Sequence, residues 1–319
     1  MVGKERIMDE QGENLLFVVG QYKSGSTWLV NLLSAHPSIR GLSETNVIRY
    51  SVEHDRETRT ADLFSITAWS ERGLRNLAKH RMAKWFGLLL QPGTKKRSAS
   101  ERPNTLLDLS IWDQMSLKRN LLRTESKEDY CKEFFRFLYE RVQPRGYLVE
   151  KTPNNIFYVP FIRSIFPKAK LLSIYRDGRD VIVSEKCHKN RMGKTTWSLE
   201  KSIGMWRDAI RAQMEYADKY DIFTVCYEEL LSNGSILVGK ILEFLNLPTD
   251  IETNEKMLHT SSISFLTGRK EGQEDKNSFY RKGVTGDWRN HLTESDQALF
   301  KSLAGDLLIR LGYEKGHNW

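Results

Sequence analysis

Residues Leu15–Val19 form a short, wholly apolar run that ends at Gly20, and Gly25 follows five residues later. Beyond Gly25, apolar residues return at helical spacing as Leu29, Leu32 and Leu33. This order predicts a buried strand, a tight glycine-bounded loop, and a helix that begins where the loop ends. Such a junction gathers backbone N–H groups and the positive end of a helix at one point, which makes a cradle for an anion. Both glycines match the nucleotide loop G-x-x-x-x-G-K-[ST], but Ser26 stands where that loop carries its lysine, and Lys23 lies inside it. An anion-binding loop is expected; an ordinary ATPase loop is not.

Apolar runs of the same kind recur at Tyr147–Val149, Lys170–Tyr175 and Ile222–Cys226, with Ile39–Leu42 as a further short strand. Helical patterns separate them. The fold class this predicts is α/β, with a central parallel sheet of about five strands and helices on both faces. No repeat or Pro/Gly/Ser-rich linker interrupts the 319 residues, which therefore read as a single domain. From about 47 to 142 the chain is helical, basic and irregular, with Trp69, Trp85, Phe86 and Trp112. That stretch is too long for a simple crossover and reads as a helical cap over the site. Within it, Leu74–Leu90 carries Arg75, Lys79, Arg81 and Lys84; a solvated basic helix face is favoured there over a membrane-surface helix. Thr94–Arg102 and Gly268–Lys276 read as mobile loops, the second as part of a nucleotide lid spanning about 266–290.

The net charge of +8 favours anionic partners. Cys131, Cys187 and Cys226 have no metal-ligand spacing and read as reduced thiols. Without an apolar signal core or a run of membrane-spanning length, a cytoplasmic protein with no transmembrane segment is expected.

Two more segments carry anion-binding chemistry. In Tyr175-Arg176-Asp177-Gly178-Arg179-Asp180, Arg176 should emerge at the carboxyl end of a strand, where α/β sheets bind ligands. Asp180 reads as a helix N-cap and Ser184 lies one turn further on; the alternative is a surface ion-pair cluster of these arginines and aspartates. In Arg281-Lys282-Gly283-Val284-Thr285-Gly286-Asp287-Trp288, two cations precede two glycines, a loop suited to wrapping a phosphate. Thr293–Asp296 then reads as a helix start.

In this order, the three segments resemble the PAPS-dependent sulfotransferase family. Its P-K-S-G-T-T-W loop corresponds to Tyr22–Trp28, its Y-R-[DN]-x-[RK]-D…S segment to Tyr175–Ser184, and its R-K-G-x-x-G-D-W loop to Arg281–Trp288 without a mismatch. The likeness runs from Leu15 to about Leu303 and implies a P-loop-containing sulfotransferase-like fold, with PAPS as co-substrate and no metal. It gives Lys23 the bridging oxygen between phosphate and sulfuryl group, and Ser24, Gly25, Ser26 and Thr27 the 5′-phosphate. It gives Arg176, Ser184, Arg281, Lys282 and Gly283 the 3′-phosphate, and it sets Trp28 and Tyr227 on either side of adenine.

For the catalytic base, the chain departs from the cytosolic steroid and phenol branch. That branch carries K-T-H-L-P, whereas Glu150-Lys151-Thr152-Pro153 has no histidine. His36-Pro37 followed by Glu44 resembles instead the Golgi carbohydrate and tyrosylprotein branch, whose base is a glutamate. Glu44, 21 residues past Lys23, is the first candidate and Glu150, at a strand end, the second. Lys151 would stabilise the sulfuryl oxygens, or pair internally with Glu150. His188 could face the acceptor, although a surface position is favoured. The acceptor is expected to be a hydroxyl, with an amine left open, on a small molecule, carbohydrate or peptide. A P-loop kinase and a polyanion binder are the rival readings, no nucleic-acid partner is expected, and a homodimer stays open.

Overall fold

The computed structural model describes residues 8–42, 44–55, 58, 60, 110–270, 272–275, 278 and 280–319. In chain order its first half contains β1 (Leu15–Gly20), α1 (Ser26–Ser34), β2 (Ile39–Leu42), α2 (Val47–Glu53), α3 (Ile111–Leu122), α4 (Lys127–Val142), β3 (Tyr147–Lys151) and α5 (Val159–Ile165). There follow β4 (Lys170–Tyr175), α6 (Gly178–Arg191), α7 (Leu199–Lys219), β5 (Ile222–Cys226), α8 (Tyr227–Ser232), α9 (Gly234–Phe244), α10 (Ile251–Ser261), α11 (Ile263–Thr267) and α12 (Glu294–Arg310). The strands form one sheet in the order β2-β3-β1-β4-β5, and every neighbouring pair is parallel. The expected α/β architecture is present, with β1 at its centre.

The continuous apolar run of β1 follows from its position. Alternate side chains point to opposite faces of a strand. Leu15, Phe17 and Val19 enter one core with Phe134, Phe135 and Phe166, while Leu16 and Val18 enter a second with Leu29, Leu33 and Val225. A strand covered on both sides has no polar face to alternate with. Phe17 meets Phe135 edge-on at 5.4 Å between ring centres and stacks on Phe166 at 6.1 Å. Truncating Phe17 to alanine is expected to cost about 3–5 kcal/mol.

A third core joins α6, α7 and α12 through Val181, Ile203, Trp206, Phe300 and Leu308. Trp206 Nε1 donates to the Arg176 carbonyl at 3.1 Å, which ties this core to the mouth of the sheet. Thr293 caps α12 in a reciprocal box with Asp296, as its sequence predicts.

The stretch expected to form a cap has a different use at its C-terminal end. Tyr130, Phe134, Phe135 and Leu138 of α4 pack into the core under β1, because their spacing lays them on one helix face. Trp112 on α3 is 74% exposed. Trp69, Trp85 and Phe86, the segment Leu74–Leu90 and the loop Thr94–Arg102 lie outside the described residues. Among the described residues, no helix is long and apolar enough to cross a membrane.

Candidate active site

The loop from Gln21 to Gly25 leaves the end of the central strand and delivers its backbone to the start of α1. Ser24 is buried and its Oγ donates to the Gln21 carbonyl at 2.6 Å, closing the turn from inside. Lys23 adopts a left-handed backbone at φ 70°, uncommon outside glycine and typical of tight functional turns. Gly25, at φ 96°, is the N-cap of α1 and brings no capping side chain, so the first-turn N–H groups are left to a ligand. A Cβ at position 25 would sit 2.5 Å from the Tyr227 ring, so only glycine lets this aromatic lie against the loop.

Arg176 emerges at the end of β4 as expected and is nearly buried. Its Nη2 donates to the Val284 carbonyl at 2.8 Å, its guanidinium lies 4.3 Å over the Tyr227 ring, and its buried Nε has no hydrogen-bond partner. The N-cap of α6 is Asp177, which accepts from Arg179 N at 2.9 Å, and not Asp180. The helix begins one turn earlier than the Asp180 reading placed it. Asp180 instead accepts from Gly286 N at 2.7 Å and Trp288 N at 2.9 Å, clamping the C-terminal loop onto the end of β4. Arg179 is not on the surface either. It is 1% exposed, bonded to Asp177 and Glu314, and lies over the rings of both Trp288 and Trp319.

The clamped loop carries Arg281 and Lys282. Asp287 receives both cations, Arg281 at 2.6 Å and Lys282 at 2.8 Å, and Glu274 takes the other arm of Arg281 at 2.7 Å. Burial would raise the Asp287 carboxyl, but the bonds from Lys282, Arg281 and Asn290 hold it well below the usual carboxylate range. Gly283 sits at φ 67°, where a Cβ would fall 2.2 Å from Ile263 Cδ1. Arg269 donates to the carbonyls of Gln273 and Arg281 and to Ser278 Oγ, tying together the described part of the expected lid.

At the other end of the loop stand Lys23, Tyr22, Glu44 and His188. Lys151, only 4% exposed, reaches Glu44 Oε1 at 2.7 Å. Glu150 points away into the protein: it accepts from Thr45 Oγ1 at 2.9 Å, Thr152 Oγ1 at 2.5 Å and Asn155 Nδ2 at 2.9 Å. The alternation of β3 separates these neighbours, so the position at the strand end did not bring Glu150 to the site. Burial, and then the nearby Arg191, lower the Lys23 ammonium to about 8 against the pull of Glu44. Burial followed by Glu44 and Glu185 lifts the Tyr22 phenol to about 12.

Tyr22, Lys23, Glu44 and His188 line the same cavity as Arg176, Arg281 and Lys282, about 550 Å³ in volume and within the range of small-molecule sites. Every residue expected to hold nucleotide lines it except Ser24; Glu44 lines it, whereas Glu150 and Lys151 do not. His188, favoured as a surface residue in the sequence, is also in its wall. Trp28 and Tyr227 touch edge to face at 5.6 Å, so a purine would lie against this pair and not between them. The partnerless Arg176 Nε and the cations of both ends suit a ligand carrying anionic groups at its two extremities.

The profile of the sulfotransferase family matches residues 16–251. The chain belongs to that family, the PAPS-dependent sulfotransferases. Sulfotransferase 2A1 of Macaca fascicularis is 28% identical over 56% of this chain and 69% of its own length. Sulfotransferase 1 family member D1 of Mus musculus is 30% identical over 41% of this chain and 52% of its own. The chain thus spans about half to two thirds of these relatives. Among solved structures, mouse sulfotransferase SULT7A1 complexed with PAP superposes with a TM-score of 0.52 at 16% identity, covering 93% of this chain and 85% of the other. The sulfotransferase domain of the Synechococcus PCC 7002 olefin synthase gives 0.53 at 16% identity over 91% and 94%. At these identities, the structural likeness establishes a shared fold.

Proposed function

We propose that this sulfotransferase moves a sulfuryl group from PAPS to an acceptor hydroxyl, releasing adenosine 3′,5′-bisphosphate. The observation that carries this reading is a single cavity whose wall holds both Lys23 and Glu44 and the cations Arg176, Arg281 and Lys282. PAPS has charge at the matching places: a 5′-phosphosulfate at the loop and a 3′-phosphate at the C-terminal clamp. The purine would rest against Trp28 and Tyr227, with the loop 266–290 folding over the nucleotide.

In the reaction, the bond from sulfur to the phosphate-bridging oxygen breaks as the acceptor oxygen bonds to sulfur. Lys23 neutralises the charge left on the bridging oxygen. Glu44 takes the acceptor proton, while Lys151 holds that carboxylate in place from a nearly buried position. The buried, fully bonded Glu150 instead holds together β3, the turn at Thr45 and the turn at Thr152. Among acceptors we favour a hydroxylated small molecule or carbohydrate, and we place the enzyme in the cytoplasm; none of its three cysteines forms a disulfide.

Screening acceptor pools with labelled PAPS tests the activity. Glu44→Gln should lower turnover at least 10²-fold while adenosine 3′,5′-bisphosphate still raises the melting temperature. Turnover near that of the parent would reject Glu44. Stabilisation by ATP–Mg alone would reject the nucleotide assignment itself.

A further inference from the structure

Position 22 departs from the P-K-S-G-T-T-W loop: tyrosine stands where that loop has proline, directly before Lys23. A proline has no aromatic face to offer a cation. Tyr22 has one, and Lys23 Nζ lies 4.8 Å from the centre of its ring. That is inside the range at which a ring quadrupole attracts an ammonium. Tyr22 also packs edge to face with His188, 6.1 Å between ring centres, and Tyr22, Lys23 and His188 all line the cavity.

The charged groups around Lys23 are Glu44 from the turn after β2, Lys151 at the end of β3, and Glu185 and Arg191 from α6. A carboxylate is the usual seat for a lysine, but both carboxylates here are engaged. Lys151 holds Glu44 at 2.7 Å, and Glu185 meets Ser202 at 3.2 Å and Lys189 at 3.7 Å. The ring face favours an ammonium over an amine without occupying either carboxylate. Burial, Glu44 and Glu185 keep the proton on the Tyr22 hydroxyl, so the ring is neutral and Tyr22 is no rival to Glu44 as base.

We propose that Tyr22 is a positioning residue for the leaving-group cation, its ring face holding the Lys23 ammonium charged and ready beside the anion loop until nucleotide arrives. This rests on the role given to Lys23 in the sulfotransferase reading. No bond to Tyr22 forms or breaks. A ring grips a cation less firmly than a carboxylate does, so the bridging oxygen can draw the ammonium off the face. A lysine paired with Glu44 would instead occupy the base until the nucleotide pulled it away.

The dependence of kcat/KM for PAPS on pH reports ionisations of the empty enzyme. In the parent its basic limb should fall near pH 8. Tyr22→Leu removes the face and should move that limb down by about half a pH unit to one unit, with kcat/KM at neutral pH roughly tenfold lower. Tyr22→Phe keeps the face, and should hold the limb in place and recover most of the rate. A limb that stays put or moves up in the leucine variant overturns the proposal, as does an equal displacement in both variants. Should Tyr22→Leu fail to fold, the parent itself decides by proton NMR. The Lys23 ε-methylene should be shifted upfield by the ring and return toward the ordinary lysine position when adenosine 3′,5′-bisphosphate is added. An unshifted methylene in the empty protein overturns the contact, and one that the nucleotide leaves in place overturns its release. A basic limb that survives Lys23→Met would refute the role given to Lys23, and a parent protein that adenosine 3′,5′-bisphosphate does not stabilise would refute the sulfotransferase reading beneath both.

Discussion

At the Arg281 end of the cavity, every cation named above has a carboxylate beside it: Arg176 has Asp180 at 3.6 Å, Arg281 has Asp287 and Glu274, and Lys282 shares Asp287. At the Lys23 end the balance is reversed. Lys23, Lys151 and Arg191 gather near Glu44, whose side chain is 42% exposed, with Glu185 turned partly toward Lys189 and Ser202. The first arrangement fixes geometry: paired cations stay where the turn puts them. The second leaves a lysine whose charge is easy to remove. On the proposed function, gripping and chemistry would be divided between the two ends, and the Lys23 end is the one expected to respond to pH near neutrality.

The largest expected effect that tests this division comes from Lys23→Met. It should lower turnover about 10²–10³-fold, as does loss of one electrostatic group at developing charge, while the shift in melting temperature with adenosine 3′,5′-bisphosphate persists. Complete loss of that shift would show that Lys23 grips as well as reacts. Next, Asp287→Asn should weaken adenosine 3′,5′-bisphosphate about tenfold by calorimetry, yet leave adenosine 5′-phosphate unchanged. Equal weakening of both ligands would mean that Asp287 maintains the whole cavity and not just the Arg281 end.

The smallest effect concerns protons. If the ammonium form of Lys23 binds the 5′-phosphate, affinity should be flat below pH 8. Above it, affinity should fall by no more than about threefold and then level off, as the empty protein loses a proton on which the complex depends only in part. Calorimetry in buffers of different ionisation enthalpy should show proton uptake on binding near pH 8. Uptake that survives Lys23→Met would assign the proton elsewhere.

Much of this was legible in the chain because a doubly covered parallel sheet demands unbroken apolar runs: β4 and β5 have the predicted bounds, and β1 and β3 gain only their last residues. The anion-binding loops were legible because glycines and cations must be close in sequence to share a turn. What escaped was set by tertiary direction. Asp177 and Asp180 both suit an N-cap, and the end of β4 decided between them. Glu150 and Lys151 are neighbours on a strand, so one had to turn inward, and nothing local says which. His188 became a cavity residue only because α6 runs beside the loop of Lys23. The counter-ion role of Asp287 could have been suspected from its place five residues beyond Lys282 in the same glycine turn.

Gly25 and Tyr227 leave each other no spare room, although 202 positions separate them in the chain. Any relative that enlarges the residue at the first position must shrink or swing aside the ring at the second. The two sites are therefore expected to change together across species, and a redesign of base preference that alters Tyr227 would relax a constraint on the phosphate turn as well.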